Sequence, residues 1–264
     1  MRSARRHQHS GQASSKLRVL ARPPAERARP REVPTATSAP VSERLTGERL
    51  AGVCGLLGAV TATVGLIAGD LAQPRAFRPS QDDISDLGAR TASSPWLYNQ
   101  LGSNLSGLLI IALGIGLWHA LSPSRLGRLG AAAVAATGGG VFLDGLFRLD
   151  CQAIDVGCSN DSWHSHAHKI ESAFTVSATF LALLTLALAL RRIPGWRDTS
   201  LPVLAGLAGI FVANLVFSAL GNGAATRAGS LVVFWTFGFL GLRLLQKASS
   251  RGRRLPELGA SADS

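Results

Sequence analysis

The chain has 264 residues, of which 47% are hydrophobic and only 16% are charged. Soluble domains carry about 25% charged residues, so this composition excludes an ordinary water-soluble domain and is typical of a polytopic membrane protein. The net charge of +11 comes largely from arginines that flank apolar runs, where they orient a membrane protein and attract anionic lipid. We therefore expect membrane lipids, and no nucleic acid, as partners.

The two ends of the chain differ from its middle. Residues 1–48 are rich in Arg, Pro and Ser and lack the apolar segment of a secretory signal peptide, so they predict a disordered cytoplasmic tail. Residues 247–264 predict a second, basic cytoplasmic tail. Between them, residues 49–246 predict a transmembrane domain.

Six continuous apolar runs divide this domain. Each has roughly the 20 residues that a helix needs to cross about 30 Å of hydrocarbon, and none alternates as a strand would. The sequence therefore predicts an all-α bundle of six transmembrane helices. The predicted spans are 50–71, 98–121, 128–149, 167–190, 201–220 and 229–246.

Charge and cysteines orient the bundle. With both termini in the cytoplasm, most of the 27 lysines and arginines fall on the inner side, as the positive-inside rule requires. Cys151 and Cys158 then share an outer loop, where an oxidising compartment would permit a disulfide, although two free thiols are the alternative. We expect a multi-pass protein of the plasma membrane, oriented N-in and C-in.

Small residues recur within the spans. Gly65 and Gly69 form a GxxxG pair, and Gly138, Gly139 and Gly140 lie in the third span. Such residues allow helix backbones to approach closely, so we interpret them as packing positions.

Unusual polar residues collect on the predicted outer face, and this asymmetry is the main functional signal of the sequence. The inner loops contain little besides arginine and proline. The candidate polar cluster consists of Ser85, Asp86, Asn99, Asp144, Asp150, His164, His168 and Glu171.

The segment DSWHSHAHKIE, at the start of the fourth span, carries three histidines. On a helix, His164, His168 and Glu171 share one face, which is a workable half-site for zinc, whereas His166 points elsewhere. Position 165 is serine, so the metalloprotease motif HExxH is absent. A structural polar cluster and proton chemistry are the alternatives to a metal site.

Asp144 is the second anchor of this face. It is predicted to lie inside the third span, where an acid costs about 2.5–3.5 kcal/mol to insert and is a functional candidate by default. Arg148, four residues on, can pair with it. Because a short loop joins the third and fourth spans, Asp144 can alternatively face His168 or Glu171.

Four elements together resemble a known family. They are ISDLG in the first outer loop, an Asn-bearing second span, FRLD at the end of the third and His at the start of the fourth. Over about residues 50–246 they resemble the bacterial membrane-protein family catalogued as domain of unknown function 998. More distantly, ISDLG resembles the ISDxG element of the six-span DRAM/Frag/Sfk membrane proteins. The resemblance implies a six-helix membrane fold and no activity, and it singles out Ser85, Asp86, Gly88, Asn99, Asp150 and His164.

Three functions fit these patterns. The first is a non-enzymatic integral membrane protein whose polar cluster serves lipid or partner interaction. The alternative is a metal-dependent hydrolase of lipid head groups, with zinc as the cofactor on His164, His168 and an acid from Glu171, Asp144 or Asp150. A small-solute or proton permease is weaker, because the span centres hold hardly any ionisable groups apart from Asp144.

Overall fold

A computed structural model describes residues 41–260, with side chains for residues 43–251. The described chain is all-helical. Its helices are α1 (Val41–Leu71), a short 3₁₀ helix (Ile84–Gly88), a π-helical segment (Leu97–Leu105), α2 (Ser106–Ala120), α3 (Arg125–Asp144), α4 (Trp163–Leu190), α5 (Arg197–Phe217) and α6 (Asn222–Ala260).

Each of the six predicted spans overlaps a helix that is long and apolar enough to cross a membrane, so the six-span, all-helical fold is confirmed, although the third and fifth predicted spans run past the ends of α3 and α5. The spanning stretches are Glu43–Leu71, Leu97–Ala120, Arg125–Asp144, Trp163–Leu190, Arg197–Phe217 and Asn222–Arg251. The terminal helices exceed their predicted bounds. α1 begins ahead of the predicted boundary at residue 49, and α6 continues beyond residue 246, because no proline or glycine turn interrupts the helical pattern at either point. Residues 1–40 of the predicted tail lie outside the described chain.

The helices pack as a ring in chain order, with α6 closing against α1. One end of the ring carries the loop 72–96 and the loop 145–162, and we call this end the disulfide face. A disulfide joins Cys151 to Cys158 there. The connections α2–α3 and α4–α5 lie at the opposite face.

A continuous apolar core fills the bundle from its middle to the opposite face. Close packing of large side chains leaves little space in this half. Its most deeply buried members are Ile110, Leu113, Leu117, Leu121, Leu183, Leu186, Leu190, Trp196, Phe237, Leu240 and Leu244. The other half, toward the disulfide face, holds the buried polar side chains described below.

Glycines permit the closest helix contacts, as the sequence predicts. Gly65 of α1 lies directly against Gly102, so a Cβ on Gly65 would overlap the Gly102 backbone. A Cβ on Gly138 of α3 would come within 2.7 Å of the carbonyl oxygen of Gly107, whereas one on Gly139 would meet nothing within 4 Å. The helices can therefore approach at Gly65 and Gly138 only because these residues lack side chains.

The long loop 72–96 is fastened across the disulfide face. Gln152 donates its side-chain amide to the Gln73 side chain at 2.9 Å and to the Asp86 carbonyl at 3.2 Å. The backbone of Ala224 donates to the Ser80 carbonyl at 2.9 Å. These bonds tie the loop to both the 145–162 loop and α6, so the loop covers the polar half of the bundle.

Candidate metal centre

Asp144, His168 and Glu171 converge beneath this loop. One ligand atom from each lies within 4.8 Å of the others. His168 and Glu171, three residues apart on α4, share the helix face that α3 covers, and they are only 7% and 6% exposed. Asp144 is the last residue of α3. Two helices thus bring one imidazole and two carboxyl groups to one point.

Asp144 sits in a set of hydrogen-bonding groups. Ser103 Oγ donates to its Oδ2 at 2.8 Å, and Tyr98 also interacts with this carboxyl group. His168 Nδ1 lies 3.4 Å from Oδ1. The carbonyl groups at the C-terminal end of a helix carry partial negative charge, so an acid there is favoured only beside a compensating cation. The position of Asp144 is therefore one that attracts positive charge.

The orientation of His168 is set by a backbone carbonyl. Its Nδ1 lies 3.1 Å from the carbonyl oxygen of Phe147, which can accept the Nδ1–H. This contact assigns the proton to Nδ1 and leaves the lone pair on Nε2. Histidines that bind metals use the same arrangement, in which the second nitrogen donates to a carbonyl or carboxylate.

Glu171 has one satisfied and one unsatisfied oxygen. Thr175, one turn further along α4, donates its hydroxyl to Oε1. Oε2 is buried and has no hydrogen-bond partner in the described structure. A buried polar atom without a partner is costly, so Oε2 marks a position where a ligand would be stabilising.

Asp144 and Glu171 line a cavity of about 180 Å³ inside the bundle, whereas His168 borders an adjacent, very small void. The polar end of the cavity is formed by Tyr98, Ser103, Asp144 and Glu171, and its apolar walls include Leu66, Val141, Val176 and Phe234. Tyr98 and Ser103 lie on the π-helical segment, a rare conformation that occurs frequently at functional sites.

A second polar layer lies between the cavity and the disulfide face. Asp86 of the ISDLG element is buried, and its Oδ1 accepts from the backbone of Ala153 at 3.3 Å. Burial raises the pKa of Asp86 to about 6, with smaller contributions from Asp83 and Asp82. Asn99 donates to the Gly88 carbonyl at 3.0 Å. This layer fastens the loop, and Asn99 borders the same very small void as Asp144 and His168.

The structure separates His164, His166 and Asp150 from this centre, whereas Ser85 lies beside it. His164 stacks on Trp163 at 3.7 Å, and His166 is exposed. Asp150 accepts from the Ser162 backbone and the Ser165 hydroxyl, both at 3.0 Å. Hydrogen bonds from the side chain and backbone of Ser162, and then from Ser165, lower the pKa of Asp150. Ser85 and Asn99 border a very small void that Asp144 and His168 also line. His164 is thus replaced by Asp144 as the third member of the predicted His164–His168–Glu171 set.

The predicted position of Asp144 needs correction. α3 ends at Asp144 instead of continuing to residue 149, so this acid is the last residue of the third spanning stretch and does not lie about one and a half turns inside it. The predicted pairing of Asp144 with Arg148 required α3 to continue for one further turn. Instead, the imidazole of His168 lies beside Asp144, with Nδ1 3.4 Å from Oδ1.

Ser103 and Thr175 were not predicted. Both are hydroxyl residues within apolar runs, where serine and threonine commonly bond their own helix backbone, so the sequence carries no signal that separates them from packing residues. Only the three-dimensional proximity to Asp144 and Glu171 identifies them.

Comparison with known proteins places the chain in a family without an assigned activity. No curated protein and no solved structure matches it. One family model, described as "Protein of unknown function (DUF998)", matches residues 56–244, which include the six predicted spans almost completely. The chain therefore belongs to the DUF998 family.

Proposed function

We propose that this protein is a membrane-embedded, metal-dependent hydrolase of lipids, with a divalent metal ion held by Asp144, His168 and Glu171. The observation that carries the proposal is that ligand atoms of these three residues lie within 4.8 Å of one another. One of the three, Glu171, lines the cavity and has a buried oxygen without a hydrogen-bond partner in the described structure. Lipid or partner interaction alone does not require such convergence.

The donor set favours particular metals. One imidazole and two carboxylates suit Zn²⁺, and the set leaves a fourth position open for water, as in catalytic zinc sites. Zinc ligands bind at about 2.0–2.2 Å and so lie roughly 3.3–3.6 Å from one another around a tetrahedral ion, so a bound ion would draw the most distant pair together by up to roughly 1.5 Å. The free oxygen of Glu171 makes that movement inexpensive.

The chemistry is hydrolysis of an ester or amide. A metal ion held by Asp144, His168 and Glu171 would polarise a water for attack on the carbonyl carbon; the bond from that carbon to the leaving oxygen or nitrogen would break, and the water proton would pass to the leaving group. The Tyr98 hydroxyl borders the same end of the cavity and can donate to the carbonyl oxygen as negative charge develops there.

The proposed orientation puts the centre near the outer surface of the plasma membrane. The Cys151–Cys158 disulfide supports an oxidising compartment at the disulfide face, and the charge asymmetry supports cytoplasmic termini. An impermeant maleimide should label Ser93→Cys on intact cells, in a Cys54→Ala background. Labelling only after the cells are broken would reverse the orientation.

Metal content of the detergent-purified protein tests the centre. We expect about one zinc per chain in the wild type, and loss of it in His168→Ala and Glu171→Gln. His164→Ala is the matched control, because it removes a histidine one turn away on α4 and should retain the metal. A folded wild type without metal, or equal loss in His164→Ala, would contradict the proposal.

Lipid binding without turnover is the second candidate, and the apolar walls of the cavity favour it. A lipid that binds the metal-free protein, with no hydrolysis when zinc is restored, would support it over the hydrolase. The permease is not favoured, because the apolar core fills the half of the bundle toward the opposite face.

A further inference from the structure

We infer that the cavity takes one acyl chain of an ester glycerolipid directly from the bilayer, through a gap between α4 and α6 beside the end of α5. This inference rests on the function proposed above and adds to it the substrate class and the route of entry. Three features of the bundle support it: the exposure of α5, the exposure of a cavity wall and the size of the cavity.

The end of α5 near the disulfide face lacks the packing against both neighbouring helices that a closed ring requires. Every residue from 214 to 220 is exposed, although a helix in a closed ring normally buries one face. Phe180 of α4 contacts Phe211 of α5 at 5.3 Å between ring centroids. Beyond Ala213, toward the disulfide face, α5 presents exposed residues only.

α5 therefore does not close the cavity. α4 and α6 make at most marginal direct contact, because α5 lies between them in the ring. Residues of α4 and α6 nevertheless line the cavity, and no residue of α5 does. Val176 of α4 is one of these residues and is also 55% exposed on the outer surface of the bundle. Ser230 and Phe234 of α6, which also line the cavity, are half-buried. The wall at Val176 thus separates the cavity from the lipid by a single side chain.

The size of the cavity decides what enters. Pockets that enclose a whole drug-sized ligand measure about 300–1,000 Å³. A volume of about 180 Å³ holds the ester linkage and the first part of one chain, so the rest of the lipid must stay outside. Only a lateral opening lets a bound chain continue into the bilayer.

The distribution of polarity fixes the orientation of the lipid. The carboxyl groups of Asp144 and Glu171 lie at the polar end of the cavity, whereas Leu66, Val141 and Phe234 form apolar walls. An ester linkage placed at the polar end leaves its head group toward the disulfide face and its chain along the apolar walls. The lipid thus comes from the leaflet on that side.

Photo-crosslinking tests this route on the full-length protein in vesicles of phosphatidylethanolamine and phosphatidylglycerol. The probe is a phosphatidylglycerol with a diazirine among the first carbons of one acyl chain. We expect labelled peptides that contain Leu66 and Val141, which line the cavity, besides labels on the lipid-exposed Leu215. Val176→Trp should abolish the labels at Leu66 and Val141 and leave that at Leu215.

Leu184→Trp is the matched control, since Leu184 is similarly exposed on α4 but does not line the cavity. It should change none of the labels, and Ser230→Trp gives a second block from α6 if Val176→Trp does not fold. No label at Leu66 and Val141 in the wild type, or labels that survive both blocks, would overturn lateral entry. Metal content is measured on the same samples. Labels in a protein without metal would contradict the hydrolase and support the lipid route. Metal in a protein without labels would contradict the lipid route and support the metal centre.

Discussion

Asp70 and Arg227 form a bidentate ion pair between the end of α1 and the start of α6. The guanidinium contacts the carboxylate at 2.7 Å through Nη2 and at 3.0 Å through Nε, and Nη1 donates to the Asp82 carbonyl at 2.7 Å. Arg227 is only 9% exposed. One side chain thus fastens the ring closure between α6 and α1 and anchors the 72–96 loop.

Removing one partner of this pair should be more harmful than removing both. Arg227→Leu leaves the Asp70 carboxylate poorly solvated, and breaking a buried pair in this way costs about 3–5 kcal/mol. Asp70→Leu/Arg227→Leu should recover a large part of the loss. Thermal unfolding in detergent measures both. Equal stability of the single and double variants would mean that the charge left behind is well hydrated.

Adjacent glycines of α3 should respond in opposite ways. Gly138→Ala places a methyl group within 2.7 Å of the backbone of α2, so we expect it to destabilise the bundle by about 1–3 kcal/mol. Gly139→Ala meets no neighbour and should stabilise it by about 0.5–1 kcal/mol through helix propensity. Unfolding temperatures of the two variants decide this, and the same sign for both would show that α2 and α3 pack less closely.

Asp86 should make the stability of the protein depend on pH. Its pKa is about 6 in the folded protein against 3.8 for a free aspartate, so the folded chain keeps a proton that the unfolded chain loses in this interval. The free energy of unfolding should therefore rise as the pH falls from about 6 to about 4. Asp86→Asn should be more stable than the wild type above pH 6, with the difference gone below pH 4.

Thermal unfolding of the wild type and Asp86→Asn between about pH 4 and about pH 6 checks this pH dependence. Asp83→Asn is the control, because Asp83 is exposed and contributes only a smaller part of the shift. An Asp86→Asn variant that differs from the wild type by the same amount at every pH would show that folding does not raise the pKa of Asp86.

The disulfide should stabilise the protein modestly. Cys151 and Cys158 are separated by 7 positions, and cross-linking so short a loop is worth about 2 kcal/mol in the chain-entropy model. Cys151→Ser/Cys158→Ser should lose that amount, and reductant should destabilise the wild type but not this variant. If the reductant also destabilised the double variant, the destabilisation would arise from another part of the protein.

The spans could be predicted well because each depends on a local property, the length of an apolar run. The centre could be predicted only in part. Spacing on one helix correctly paired His168 with Glu171, but it paired His164 with them equally well. The choice between His164 and Asp144 depends on where α3 ends, and nothing in the run VFLDGLFRL marks that end, since Gly145 lies in a helical conformation.

Because the core is filled toward the opposite face, the cavity has no exit on that side. Anything that enters between α4 and α6 must leave on the side from which it came. A cleaved lipid would therefore return its chain to the same leaflet and its head group to the same aqueous phase. Turnover would then alter the composition of one leaflet alone and produce an imbalance of lipid between the two sides of the membrane.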